Sequence, residues 1–221
     1  MNFSKLNDLI DSLPACGIPA CDVAVTYRGE SVYRHGAGFA DAEKTRPVSA
    51  EDLYYIFSIS KITTCVCGMR LVEEGKLGLD DPVSKYLPAY RYLTVKGEYG
   101  RIVPAQNVMT VRHLFTMTAG LNYNLRSTSL IRAFMNEKPN TLMLVNAMAE
   151  LPLDFEPGTR YQYSLCHDVL AGVIEVVSGM RFADYVQKTV FDPLGMTRTG
   201  YHLPENLTPR LSELYNIKHG L

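Results

Sequence analysis

Apolar residues recur at helical spacing at Phe3, Leu6, Leu9, Ile10 and Leu13, predicting a helix over residues 3–13 that Pro14 ends. The pattern then alternates from Cys21 to Tyr27, breaks at Arg28-Gly29-Glu30 and resumes from Ser31 to Ala40, which predicts a β-hairpin. Residues 41–52 form a polar connector. From about 58 to 74 the chain is apolar over most of a helical circumference (Ile62, Cys65, Cys67, Met69, Leu71, Val72) and Gly75 stops it. A helix of that kind is expected at the centre of a fold. A turn at 77–83 leads into a short helix ending at Leu87-Pro88, and residues 89–107 read as irregular. Thr110 is expected to cap a helix over Val111–Met117, closed by Gly120. Further helices are expected at Leu130–Met135, Thr141–Leu151, Asp168–Val177 (stopping at Gly179) and Phe182–Phe191. One hairpin and many helices make an α+β chain with too little strand for a self-contained sheet.

Composition narrows this only a little. With 221 residues and 47% hydrophobic content, the chain can bury a core as one domain, 1–221. Two sub-lobes are expected within it: helix plus hairpin over 1–48, and a mainly helical lobe over 49–221. A net charge of −1 gives no reason to expect nucleic acid or a polybasic membrane contact. No apolar run approaches the roughly 18 residues that span a bilayer, and the N-terminus has no signal-peptide core. A cytoplasmic protein is the expectation. The five cysteines (16, 21, 65, 67, 166) are an odd number without a framework, which fits a reducing compartment. Cys65 and Cys67 point to different faces of their helix, where core packing is favoured over metal binding. The five histidines form no ligand-spaced pair, so neither metal nor cofactor is expected.

The chemistry is concentrated where the long apolar helix begins. Ser58 and Lys61 are one helical turn apart, so hydroxyl and ammonium share a face. The serine lies at the helix end whose N–H groups lack partners. If burial holds the amine partly neutral, the pair has the parts of an activated nucleophile. A capping serine followed by a solvated lysine would read the same, so the four-residue motif needs its context.

That context resembles the serine beta-lactamase-like superfamily, in the branch that holds class C beta-lactamases, D-alanyl-D-alanine carboxypeptidases and their esterase relatives. The segments that carry the resemblance are Ser58-Ile59-Ser60-Lys61, the stretch Glu74 to Pro88, and Val111 to Leu121. Phe155 to Ser164 and Phe191-Asp192-Pro193-Leu194-Gly195-Met196 complete the set. The resemblance implies a beta-lactamase/transpeptidase fold and an acyl-enzyme mechanism. Ser58 would be the nucleophile, Lys61 the amine that orients it and Tyr163 the phenol that shuttles the proton. A lysine cation lowers the pKa of a phenol from about 10, making it a usable base. Whether Lys61 or Tyr163 takes the first proton stays open.

Two departures shape the expectation. Leu165 stands where penicillin-recognising members have an Asn that supports the lysine and contacts a substrate amide, which turns the reading away from efficient beta-lactam hydrolysis. Tyr163-Ser164 followed by Asp168 is closer to the esterase-like branch, with Asp168 read as a first-turn charge and His167 as its polar neighbour. The third motif, Lys-Thr-Gly or His-x-Gly on a strand beside the serine, is matched only by Lys218-His219-Gly220, after which a single residue follows. The chain is therefore expected to be the N-terminal part of a longer protein, incomplete in its C-terminal sheet strands and helix. It is also expected to hydrolyse poorly alone, lacking one oxyanion donor. An uncovered hairpin is expected to self-associate.

Asn122, Tyr123 and Asn124 follow the Thr118-Ala119-Gly120-Leu121 turn, where relatives line the pocket rim. Asn124 is the candidate for contacting a substrate amide. Three functions compete: a serine hydrolase acting on a small-molecule or peptide-like ester, amide or lactam; a non-catalytic penicillin-binding-like or peptide-binding relative; and a structural helical domain.

Overall fold

The structure, a computed structural model, describes residues 1–215. Lys218-His219-Gly220 lie outside the described residues. The chain divides into two compact units: Met1–Ile56 with the segment from His202 onward, and Phe57–Tyr201.

In the first unit, helix α1 (Ser4–Ser12) tightens into a 3₁₀ turn over Leu13–Cys16, with Pro14 at its start. Strands β1 (Ala20–Tyr27) and β2 (Glu30–Gly38) pair antiparallel as expected. Their two-residue turn takes positive φ at both Arg28 and Gly29, a geometry that matches the twist of paired strands. The hairpin is partly covered by α1 and its N-cap: Tyr33 donates to Asn7 Oδ1 at 2.6 Å, and its ring packs tilted by 35° against Phe3, centroids 4.6 Å apart. Neither strand has a fully buried residue. The unit's buried charge is Asp52, which accepts from Arg46 and from the Ser49 N–H. Arg46 also donates to the carbonyl of Leu211, whose neighbour Leu53 forms a bridge with it. Tyr54, exposed but close to Asp22 and Asp52, has its pKa pushed up to about 12 by desolvation and those carboxylates.

The second unit is organised around α6 (Cys166–Ser178), eight of whose residues are buried. It packs against α2 (Ser60–Glu73), α3 (Val111–Phe115) and α5 (Thr141–Met148). Val169, Leu170, Val173 and Ile174 meet Leu71, Val111, Leu114 and Val145 in one core. Each fully buried aliphatic side chain there contributes about 1.5–3 kcal/mol. Helices α4 (Thr128–Phe134) and α7 (Phe182–Val186, continued as a π turn over Gln187–Phe191) complete the helical set. The central helix is thus α6, not the serine-bearing α2. Only Thr64, Cys67, Gly68 and Leu71 of α2 are buried, while Ile62, Val66 and Met69 are exposed. An apolar circumference reveals what a helix can bury but not which faces find partners. As expected, Cys65 and Cys67 diverge: Cys67 Sγ reaches Thr189 and Cys65 Sγ reaches His167.

Two further differences have local causes. The stretch read as irregular contains a small hairpin, β3 (Thr94–Lys96) with β4 (Ile102–Pro104), turned by positive φ at Tyr99 and Gly100. Three-residue strands are too short to show alternation. Helix α3 ends at Phe115, and Met117 rather than Gly120 adopts the left-handed conformation that follows it. Gly120 instead permits a close approach: a Cβ there would lie 2.2 Å from the Phe155 carbonyl oxygen, at φ +82. Gly120→Ala is expected to destabilise the chain by about 3 kcal/mol, combining left-handed strain with overpacking, read as a lower urea midpoint. An unchanged midpoint would contradict that packing.

All five cysteines are free thiols. Among the described residues no helix is long and apolar enough to cross a membrane, and no cluster of three His, Cys, Asp or Glu side chains could hold a metal.

Candidate active site

The chain enters α2 through a 3₁₀ turn over Phe57–Ile59, so Ser58 sits just ahead of the α-helix rather than within it. Phe57 adopts φ +41, a left-handed conformation costly for a non-glycine residue, and its carbonyl accepts a hydrogen bond from Ser60 Oγ at 2.5 Å. Lys61, one turn along, donates from Nζ to Ser58 Oγ at 3.4 Å.

Tyr163 arrives from a distant segment. Residues 117–122 and 154–165 run alongside each other, joined by backbone hydrogen bonds from Asp154 to Gly120, Gly158 to Thr118, Gln162 to Met117 and Leu165 to Asn122. The Gln162 side chain reinforces this by donating to Asp154 Oδ2 at 2.6 Å. This pairing stacks Tyr163 on Tyr123, with centroids 5.7 Å apart and planes inclined by 22°. The Tyr163 hydroxyl then meets Ser58 Oγ at 2.7 Å. Lys61, one turn along, and Tyr163, from a distant segment, thereby meet at the Ser58 hydroxyl.

The electrostatics of the group differ from the sequence expectation in one respect. Burial pulls the Lys61 pKa down, but the hydrogen bond with Tyr163 and the attraction of Tyr123, Asp168 and Tyr163 outweigh it. The net shift is upward. Lys61 is therefore an ammonium, not a partly neutral amine. Tyr163 moves the other way: the Ser58 hydroxyl, then the Lys61 ammonium, favour its phenolate and lower its pKa against opposing desolvation and Asp168.

Asp168 occupies the first turn of α6 as expected. It is exposed, yet enough protein surrounds its carboxyl for desolvation to raise its pKa, with the Lys61 charge pulling it back. His167 is buried, and Nε2 lies 3.2 Å from the Phe115 carbonyl, so that nitrogen carries the proton. Burial, with the Lys61 charge, keeps the ring neutral despite that hydrogen bond. Leu165 is buried in the core and presents no polar group to Lys61.

Asn124 is exposed and committed to its own loop, with Oδ1 accepting from the Arg126 N–H at 3.1 Å and its N–H donating to Asn122 Oδ1. Among the described residues it makes no hydrogen bond to Ser58, Lys61 or Tyr163. The residue of that loop that joins the group is Tyr123, whose ring lies 5.5 Å from Lys61 Nζ. Sequence reasoning set Tyr123 only at the rim. Its spacing to Tyr163 carries no signal, because the stack depends on the register between two loops.

The family model described as Beta-lactamase matches residues 6–220. The chain is 33% identical over 193 residues to the esterase EstB of Burkholderia gladioli, covering 81% of this chain and 46% of that protein. It is 32% identical over 194 residues to a beta-lactamase of Escherichia coli strain K12, covering 85% of this chain and 45% of that protein. Among solved structures, it superposes with a TM-score of 0.78 and 28% identity on "EstCE1, a hydrolase with promiscuous acyltransferase activity", covering 95% of this chain and 55% of that one. The chain spans about half the length of the curated relatives it matches.

Proposed function

The chain belongs to the Beta-lactamase family, and on that premise we propose that Phe57–Tyr201 carries the acylation centre of a serine hydrolase, with Ser58 as nucleophile. The observation that carries this reading is the contact of Ser58 Oγ with the Tyr163 hydroxyl at 2.7 Å and with Lys61 Nζ at 3.4 Å. A nucleophile must lie within hydrogen-bond reach of its base, and the phenol meets that requirement. The opposed pKa shifts suggest the division of labour: Tyr163 is the group moved toward ionisation, and Lys61 is the cation that moves it.

In the reaction so assigned, the Tyr163 phenolate takes the Ser58 proton as Oγ attacks the substrate carbonyl carbon. The tetrahedral intermediate collapses by breaking the bond to the leaving group, which receives the proton from Tyr163. Water then attacks the acyl-serine, giving one proton to Tyr163, which returns it to the departing Ser58 oxygen. Lys61 stays protonated throughout and offsets the negative charge that moves between the two oxygens.

An ester is the substrate class we assign. Leu165, buried and apolar, offers no side-chain amide to orient a lactam or peptide, and the likeness to EstB and EstCE1 supports the esterase side of the class C-like branch. The test is covalent labelling of this chain with a fluorescent fluorophosphonate and, separately, a fluorescent penicillin. Peptide mapping and the Ser58→Ala variant serve as controls. Labelling of Ser58 by the fluorophosphonate alone is the expected result. Labelling by both would move the substrate toward lactams. Labelling by neither would overturn the hydrolase reading in favour of a binding relative.

A further inference from the structure

We propose that Tyr123 is a positioning residue for this centre, its ring joining that of Tyr163 to hold the Lys61 ammonium beside Ser58 in place of a side-chain amide. The inference rests on the hydrolase reading above. It starts from what Lys61 lacks: the neighbouring position from which an amide could brace it is Leu165, turned into the core. Asp168 acts on Lys61 only through space, and Ser58 Oγ, at 3.4 Å, is a long hydrogen bond. A lysine on four rotatable carbons would not keep one position on those terms alone.

Two aromatic rings supply the missing constraint. Lys61 Nζ lies 5.1 Å from the Tyr163 centroid and 5.5 Å from that of Tyr123, while the centroids are 5.7 Å apart. The three points form a nearly equilateral triangle. Both rings are within the distance at which a π face attracts a cation, and the ring pair is offset and near-parallel, itself a favourable arrangement. Tyr123 therefore acts twice: it attracts the ammonium directly, and it braces the ring that carries the phenol. Tyr123 makes its ring contacts with Lys61 and Tyr163 and no hydrogen bond to Ser58 among the described residues, so its effect on the chemistry passes through those two.

The test reads the pH dependence of Ser58 labelling by a fluorophosphonate in Tyr123→Leu, Tyr123→Phe and Tyr123→Trp. The charged or titratable groups around the lysine are Tyr163, Asp168, His167 and Tyr123 itself; the variants leave the first three in place. In Tyr123→Leu the ammonium is held less closely to Tyr163, the phenol returns toward its ordinary pKa, and the ascending limb moves to higher pH. A shift of about half a unit and a labelling rate about 2- to 5-fold lower below the limb are expected. Tyr123→Phe keeps the ring and is expected to match the parent. Tyr123→Trp, with the stronger π face, is expected to shift the limb the other way.

A Leu variant equal to the parent, or a Phe variant as impaired as Leu, would overturn the proposal. Should Tyr123→Leu fail to fold, the opposite shift in Tyr123→Trp decides, and its absence counts against the ring. If the parent chain itself is not labelled at Ser58, the hydrolase reading fails first, a result distinct from either of these.

Discussion

Lys61→Ala is expected to slow acylation of Ser58 by on the order of 10³- to 10⁴-fold, among the largest single effects in the chain. The expectation follows from the position of the ammonium, which touches Ser58 Oγ and acts on the phenol of Tyr163. Removing it takes away the one cation among the described residues that lowers the Tyr163 pKa. The phenol then keeps the Ser58 hydrogen bond but loses the cation that joins it against desolvation and Asp168, so its pKa moves back up toward the ordinary tyrosine range. Two consequences should appear together in labelling kinetics: a lower rate at neutral pH, and an ascending limb displaced upward. Lys61→Arg should not rescue, because a planar guanidinium cannot take the place of a compact ammonium beside two rings. If Lys61→Ala labelled as fast as the parent, Lys61 would be a surface lysine and the proposed division of labour would fail.

Tyr163→Phe is the second large effect, expected at on the order of 10²- to 10³-fold on the same rate. This substitution keeps the ring, so the stack with Tyr123 and the attraction for Lys61 survive while the hydroxyl at 2.7 Å from Ser58 is lost. The sign of the pH dependence separates the two variants. Tyr163 has a depressed pKa, so its active phenolate gains population as pH rises through that value, below about 10. Lys61 has a raised pKa, so its useful charge is present below that value and lost above it. The parent rate should rise through the first and fall only beyond the second. In Tyr163→Phe the rising limb should vanish, whereas in Lys61→Ala it should persist at higher pH. A rising limb that survives unchanged in Tyr163→Phe would assign the base to another group.

Much of this arrangement was legible in the sequence, and the parts that were not share a cause. Ser58 and Lys61 are three residues apart, so helical geometry alone set them on one face. Tyr163 was reached through the segments that carry the family resemblance. The first hairpin was visible because its strands are long enough to alternate and its turn contains Arg28-Gly29. What escaped depends on contacts between segments. Whether α2 or α6 lies at the centre turns on which faces meet partners, and both are rich in apolar residues. The protonation of Lys61 was expected to follow burial, but two phenols and a carboxylate outweigh it. Asn124 and Tyr123 are adjacent, and only the register of two loops decides which of them reaches the lysine.

That register has a consequence of its own. The phenol is carried on a loop pinned to residues 117–122 by four backbone N–H groups, those of Asp154, Gly158, Gln162 and Leu165. One residue added between the pinned Gln162 and Leu165 would bring up to roughly 3.5 Å of extra chain, more than the 2.7 Å that separates the Tyr163 hydroxyl from Ser58 Oγ. Many side chains between Phe155 and Gln162 could be exchanged without moving that oxygen, but the number of residues there could not. The quantity held fixed in this stretch is length rather than composition, much as a key depends on the spacing of its cuts.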